Sequence, residues 1–201
     1  MKQTKLSDKD LILLLLYAKG FRGVLCEPIE GRTRITKMVF LFEKEVWESF
    51  RFGKLIPENV LPEFTAYHFG PFAPKVYTDI EFLQNLGFIT VESSGAQEAS
   101  AEEALELQWW RDEEGPDDNQ FSTSAYTPEV FSLSERGTNF VETTLWPHLN
   151  DGQRDGLHRL KKMCTGVSLR RLLQYVYSKY PKMAEESQIR DEILSQRAYD
   201  Y

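Results

Sequence analysis

Six consecutive aliphatic residues, Leu11-Ile12-Leu13-Leu14-Leu15-Leu16, stand between Ser7 and Gly20. Wound as a helix, this run is apolar on every face, and such a helix has to be surrounded by other elements rather than laid on a surface. Ser7 can cap the free N–H groups of a first turn, Asp8 and Asp10 suit the positive helix end, and Gly20 can take a left-handed closing conformation. The apolar run from Leu11 to Ala18 is eight residues long. A bilayer needs roughly 20, so no membrane span is expected. Lys2, Lys5 and Lys9 precede the run, but Asp8 and Asp10 interrupt them and no small-residue cleavage site follows, so the run reads as structure rather than as a signal peptide. A chain of 201 residues, 41% hydrophobic and 27% charged, has ordinary globular composition and enough apolar material to enclose this helix in its own core. A dimer seam is the other place for part of it.

The elements that could enclose it follow from apolar spacing. After a loop with Gly23, Pro28 and Gly31, residues 32–50 predict an amphipathic helix whose stripe is Ile35, Met38, Val39, Phe42, Val46 and Trp47. Arg34, Lys37, Lys44 and Glu48 fall outside that stripe, on a face expected to be solvated, with Lys44 and Glu48 spaced to pair across one turn. Residues 64–69 alternate as a short strand and Gly70-Pro71 turns the chain. Pro74 suits the first position of a helix with Val76, Ile80, Leu83 and Leu86 inward, ending at Gly87. Residues 88–91, 104–110 and 130–133 read as strands, and Ser134 opens a helix stopped by Pro147. From Gln153 the chain is helical again, with Leu157, Leu160 and Cys164 along one face. Ser168 then caps a helix whose stripe is Leu169, Leu172, Leu173, Val176, Tyr177 and Tyr180.

This order predicts an α+β, mainly α fold. Its core is a winged helix-turn-helix over residues 1–150, with an enlarged, acidic β wing inserted at 91–130 and a helical C-terminal extension over 151–201. Charge is segregated along that plan. Residues 91–130 hold 11 acids and 1 base, whereas the rest of the chain has a surplus of three bases, so the net −7 belongs to one segment. Residues 154–182 carry eight bases against Asp155 alone.

The run Arg34-Ile35-Thr36-Lys37-Met38-Val39-Phe40-Leu41, then Tyr67-His68-Phe69-Gly70-Pro71-Phe72, then Leu83-Gln84-Asn85-Leu86-Gly87-Phe88-Ile89, resembles the Panacea (SocA-like antitoxin) domain and the related YwgA-like proteins. Phe131-Ser132-Leu133-Ser134-Glu135-Arg136-Gly137 looks like the strand-to-helix step after the wing of many winged-helix regulators. The resemblance covers about residues 30–140. It implies a non-enzymatic regulatory or antitoxin-type protein acting through protein contacts.

The residues themselves offer little catalytic chemistry. His68, His148 and His158 are widely separated, and neither they nor Cys26 and Cys164 have the short spacings of a structural zinc site. The two cysteines do not make a disulfide framework and point to a reducing, cytoplasmic setting. No glycine-rich phosphate loop is present, and the acids of 112–118 fail the calcium-loop pattern, so no metal or cofactor is expected. The expected partner surface is Trp109, Trp110, Asp112, Glu113, Glu114, Asp117 and Asp118, meeting a protein. The alternative is a DNA-binding regulator that uses Arg159, Lys161, Lys162, Arg170 and Arg171, with nucleic acid held along residues 154–182. The helix before the wing, with Lys75, Thr78, Asp79, Glu81, Gln84 and Asn85, carries two acids against one base, a poor set for phosphate. Segregated charge also suggests that the acidic wing masks the basic helices, within the chain or in a homodimer.

Overall fold

The computed structural model describes residues 5–93 and 129–195. The expected strand at 104–110, the body of the acidic wing, and Trp109, Trp110, Asp112, Glu113, Glu114, Asp117 and Asp118 all lie outside the described residues.

Within the described residues the fold is α+β and mainly helical. Helix α1 (Asp8–Tyr17) begins as the sequence predicts: the Ser7 side chain accepts the Asp10 N–H, and the Asp10 carboxylate accepts the Ser7 N–H. This reciprocal cap stabilises a helix start by about 1 kcal/mol. Leu11 through Leu16 are each at most 1% exposed, so the all-apolar helix is the centre of the core. Its end differs from expectation. The helix stops at Tyr17, and Gly20 is not left-handed; it is needed because any Cβ there would strike the Glu27 carboxylate.

The stretch expected as a plain loop contains a short strand, β1 (Ile29–Glu30). Helix α2 (Arg32–Leu41) runs into a π-helical turn over Phe42–Val46. That wider turn breaks the four-residue register, and Lys44 pairs with Glu43 at 2.5 Å rather than with Glu48. Strand β2 (Thr65–Tyr67) forms a hairpin with β3 (Gly70–Phe72), Tyr67 opposite Gly70. Gly70-Pro71 is thus strand, not turn. Gly70 has φ +85°, and a Cβ on it would lie 2.5 Å from the Tyr177 ring.

Helix α3 (Pro74–Asn85) buries Val76, Ile80 and Leu83, but Leu86 is exposed. Asp79 is buried too, against the expectation of an outward acid, because Lys9 meets it at 2.7 Å and Lys75 at 3.3 Å. Lys75 also reaches Asp8 at 2.5 Å, so four charges tie α3 to the start of α1. Strands β4 (Ile89–Ser93) and β5 (Glu129–Leu133) pair antiparallel, Val91 opposite Phe131, and β1 adds to the other edge of β5. The sheet order is β1-β5-β4.

Ser134 caps α4 (Glu135–Phe140), which continues through a π turn and a 3₁₀ turn to His148. Helix α5 (Asp151–Thr165) has a second reciprocal cap, Asn150 with Gln153. Ser168 caps α6 (Leu169–Lys179), and α7 (Arg190–Ser195) closes the described chain. Leu157, Leu160, Cys164, Leu172, Val176 and Ile193 belong to the same continuous core as α1 and α2.

The packing is tightest where α4 crosses the start of β4. A Cβ on Gly137 would lie 2.1 Å from the Phe88 carbonyl oxygen, a backbone atom that cannot swing aside. Gly137→Ala is therefore expected to destabilise the fold by about 2 kcal/mol or more in chemical denaturation. Gly152→Ala, which would meet only the Asn150 side-chain oxygen at 3.3 Å, serves as the comparison.

Candidate functional site

Of the five basic residues expected to contact nucleic acid, the structure holds Lys161 out of reach. Lys161 is 0% exposed, and its Nζ donates to the Leu16 carbonyl at 2.6 Å. The cause is position: Lys161 follows Leu157 by four residues and precedes Cys164 by three, inside the apolar stripe of α5. Arg170 donates to both the carboxylate and the backbone carbonyl of Glu192 on α7. Arg159 is exposed and pairs with Asp155 at 2.7 Å. Lys162 and Arg171 are exposed. The five are thus distributed between core and surface rather than aligned on one face.

Two further cations expected in water are also structural. Lys37 is 1% exposed and donates to the Pro71 carbonyl at 3.0 Å, which ties α2 to the β2–β3 hairpin. The Arg34 guanidinium donates to the carbonyls of Cys164 and Val167 at the end of α5. The Lys37 and Gly70-Pro71 portions of the family-like pattern are therefore one joint. Lys37 holds the hairpin from one side, and Tyr177 of α6 packs on Gly70 from the other. Next to it, the His68 carbonyl accepts the Gln188 N–H at 3.0 Å. The tyrosines of α6 are spoken for as well. Tyr177 is buried, while the Tyr175 and Tyr180 hydroxyls both donate to Glu45 at 2.9 Å. Burial and that carboxylate raise the Tyr180 hydroxyl well above the usual phenol range.

The histidines and cysteines are far from any joint chemistry. His158 accepts the Lys19 N–H at its Nδ1, and burial holds it below the usual imidazole range. His68 meets Gln188 instead. Cys164 is buried and its thiol pushed up to about 12 by loss of solvent. No group of three metal-ligating side chains occurs among the described residues, and no described helix is long and apolar enough to cross a membrane.

What the described surface does offer is apolar. The large exposed hydrophobic residues fall in two places: Phe82 and Leu86 on α3, at 47% and 41% exposure, and Phe21, Val24 and Leu25 in the loop after α1. Phe82 and Leu86 are one helical turn apart and so share a face. Lys9 stands over the Phe82 ring at 5.3 Å, and Glu81 beside it pairs with Arg32 at 3.4 Å. The Asp8–Lys75–Asp79–Lys9 quartet holds this face in place. Burial acts against both carboxylates; Lys75 and Lys9 outweigh it at Asp8, which stays below the ordinary range, whereas Asp79 is raised by burial beside Asp8. Sequence reasoning misses Phe82 because it divides α3 into an inward apolar stripe and an outward polar set, and Phe82 belongs to neither. The period of Val76, Ile80 and Leu83 already puts Phe82 off the buried stripe.

No family model, curated protein or solved structure matches the chain.

Burial also makes Lys161 a pH-dependent element. Loss of solvent lowers its ammonium from the usual 10.5 to about 7, with Glu27 and Cys26 opposing the shift. The unfolded chain therefore binds that proton more tightly, and folded stability rises with pH between about 7 and 10.5 on account of Lys161. Below that window both states carry the proton and the cost of the buried charge is full and constant. Lys161→Met should lose this rise. The difference in unfolding free energy between native chain and variant is expected to grow with pH from neutrality upward, by up to about 1.4 kcal/mol per pH unit. Parallel pH profiles in urea titrations would rule out the assignment.

Proposed function

We propose that the chain is a non-enzymatic, cytoplasmic winged-helix regulatory protein that acts through protein–protein contacts, as an antitoxin-like or adaptor component. The element order supports the fold reading: α1, β1, α2, α3 and the β4–β5 pair follow one another, with β1 on the other edge of β5 and the β2–β3 hairpin and short π and 3₁₀ turns intervening between α2 and α3. The observation that carries the function is the outward face of α3. In a winged helix this is the element that meets DNA, and phosphate recognition needs basic and amide side chains there. Here Lys75 is engaged by Asp8 and Asp79, Glu81 is acidic, only the amides Gln84 and Asn85 suit base recognition, and beside them stand the exposed hydrophobics Phe82 and Leu86. An exposed aromatic–aliphatic pair with charges at its margin suits a protein interface.

The DNA-binding alternative rests on Arg159, Lys162 and Arg171, which are exposed; Lys161 and Arg170 have structural partners. The two readings separate in one experiment. Affinity purification from the native host at low and high salt, scored for protein and nucleic acid, is expected to recover a protein that persists at high salt. It should be lost from a Phe82→Ser/Leu86→Ser variant of unchanged melting temperature. Recovery of nucleic acid with a steep salt dependence, abolished by charge reversal at Arg159, Lys162 and Arg171, would favour the alternative and overturn the proposal.

A further inference from the structure

The second apolar patch has a shape and charge of its own. Residues 21–25 are exposed without interruption, and three of the five are large and apolar: Phe21 at 61%, Val24 at 54% and Leu25 at 41% exposure. A solvent-exposed cluster of that kind in a connecting loop is costly unless something covers it. The loop is nevertheless held firmly. The Lys19 N–H donates to His158 Nδ1 at 2.9 Å, the Phe21 N–H to Thr165 Oγ1 at 3.0 Å and the Arg22 N–H to Glu27 Oε2 at 2.8 Å. The Gly23 N–H closes on the Gly20 carbonyl and the Cys26 N–H on the Tyr17 carbonyl. The apolar side chains are therefore presented on a fixed frame, which lowers the ordering cost of binding.

Within the loop itself the exposed charges are basic. Lys19 and Arg22 are exposed within it, and Lys162 is exposed on the neighbouring end of α5. The nearest acid in the loop, Glu27, is 7% exposed and committed to the Arg22 backbone. Lys161 and Arg34 occupy the carbonyls at the ends of α1 and α5, which removes the negative end charges that would repel an anion.

We infer that the loop from Lys19 to Leu25 is a docking site for an acidic peptide segment of a partner protein that carries apolar side chains. Phe21, Val24 and Leu25 receive the apolar groups; Lys19, Arg22 and Lys162 meet the carboxylates. This site lies on a different element from the α3 face and does not depend on it.

The test is fluorescence anisotropy with the full chain and a short fluorescein-labelled peptide of alternating glutamate and leucine. Peptides of alternating lysine and leucine, and of alternating glutamate and serine, serve as controls. Saturable binding of the glutamate–leucine peptide alone is expected, weaker by about tenfold or more in Phe21→Ser/Leu25→Ser and in Arg22→Glu, and weakened by salt. All altered side chains are exposed, and equal melting temperatures confirm that the variants fold. Phe82→Ser/Leu86→Ser should bind the peptide normally. Loss in that variant but not in the loop variants would reject the loop site while leaving the α3 reading intact. Absence of saturable binding, or equal binding of the lysine–leucine peptide, would overturn the inference. So would self-association through the loop in sedimentation equilibrium, or co-sedimentation with phosphatidylserine vesicles without peptide binding.

Discussion

A lysine ammonium inside the core closes the helix around which everything else packs. Helix α1 has no glycine at its end and no basic residue in its last turn, so its final carbonyls need partners from elsewhere. Cys26 supplies a backbone N–H to the Tyr17 carbonyl, and Lys161 supplies its Nζ to Leu16 from 145 residues away. A cation at the negative end of a helix is electrostatically favoured, yet burying it costs more than the contact returns unless it can shed its proton. The lowered titration of Lys161 is the mark of that balance. Through this contact α5 is held to α1, and Arg34 on α2 holds the end of α5 in turn. Three helices are therefore joined by basic side chains on carbonyls, within a seam that the apolar stripes alone would leave free to slide.

The same bonds change what the charge of the chain means. Counted along the sequence, residues 154–182 are strongly basic. In space, Arg159 meets Asp155, Arg154 meets Asp151, Arg170 meets Glu192 and Lys179 meets Glu45, while Lys161 is enclosed. The acids come from α5 itself, from the π turn after α2 and from α7. Four of the eight bases are thus paired with acids and a fifth is enclosed, and the counter-ion release that would drive binding to a polyanion is reduced accordingly. Surface pairs of this kind contribute little to stability, about 0–1 kcal/mol each. Their consequence here is to reduce the free positive charge of the segment.

Much of this plan was legible in the sequence, and the exceptions share a cause. The caps at Ser7, Ser134 and Ser168, the stripe Val76-Ile80-Leu83, and the β4 and β5 strands follow from local signals that tertiary contacts leave intact. Lys37 and Lys161 look like surface charges in the sequence because a lysine breaks an apolar pattern, although each occupies a buried position by spacing. What settles such a lysine is a carbonyl without a partner, at Pro71 or Leu16, and that requirement arises only once distant elements meet. Asp79 follows the same logic, since its burial depends on Lys9 from another helix. Most of the acidic segment that dominates the net charge falls outside the described residues.

The two exposed apolar patches are seated on different parts of the core. The α3 face is seated on a charge quartet whose members come from α1 and α3, so contact there would be sensed by the packing of those two helices. The Lys19–Leu25 loop is seated on α5 and on Glu27, so contact there would be sensed by the helix that carries Lys161. Both routes end on α1, whose central residues Leu11 to Leu16 are enclosed by the core. On the proposed reading, the two patches give two partners separate surfaces around α1. The adaptor form of the proposal needs no more than this separation, whereas a switch would need an element with two arrangements for the sites to share.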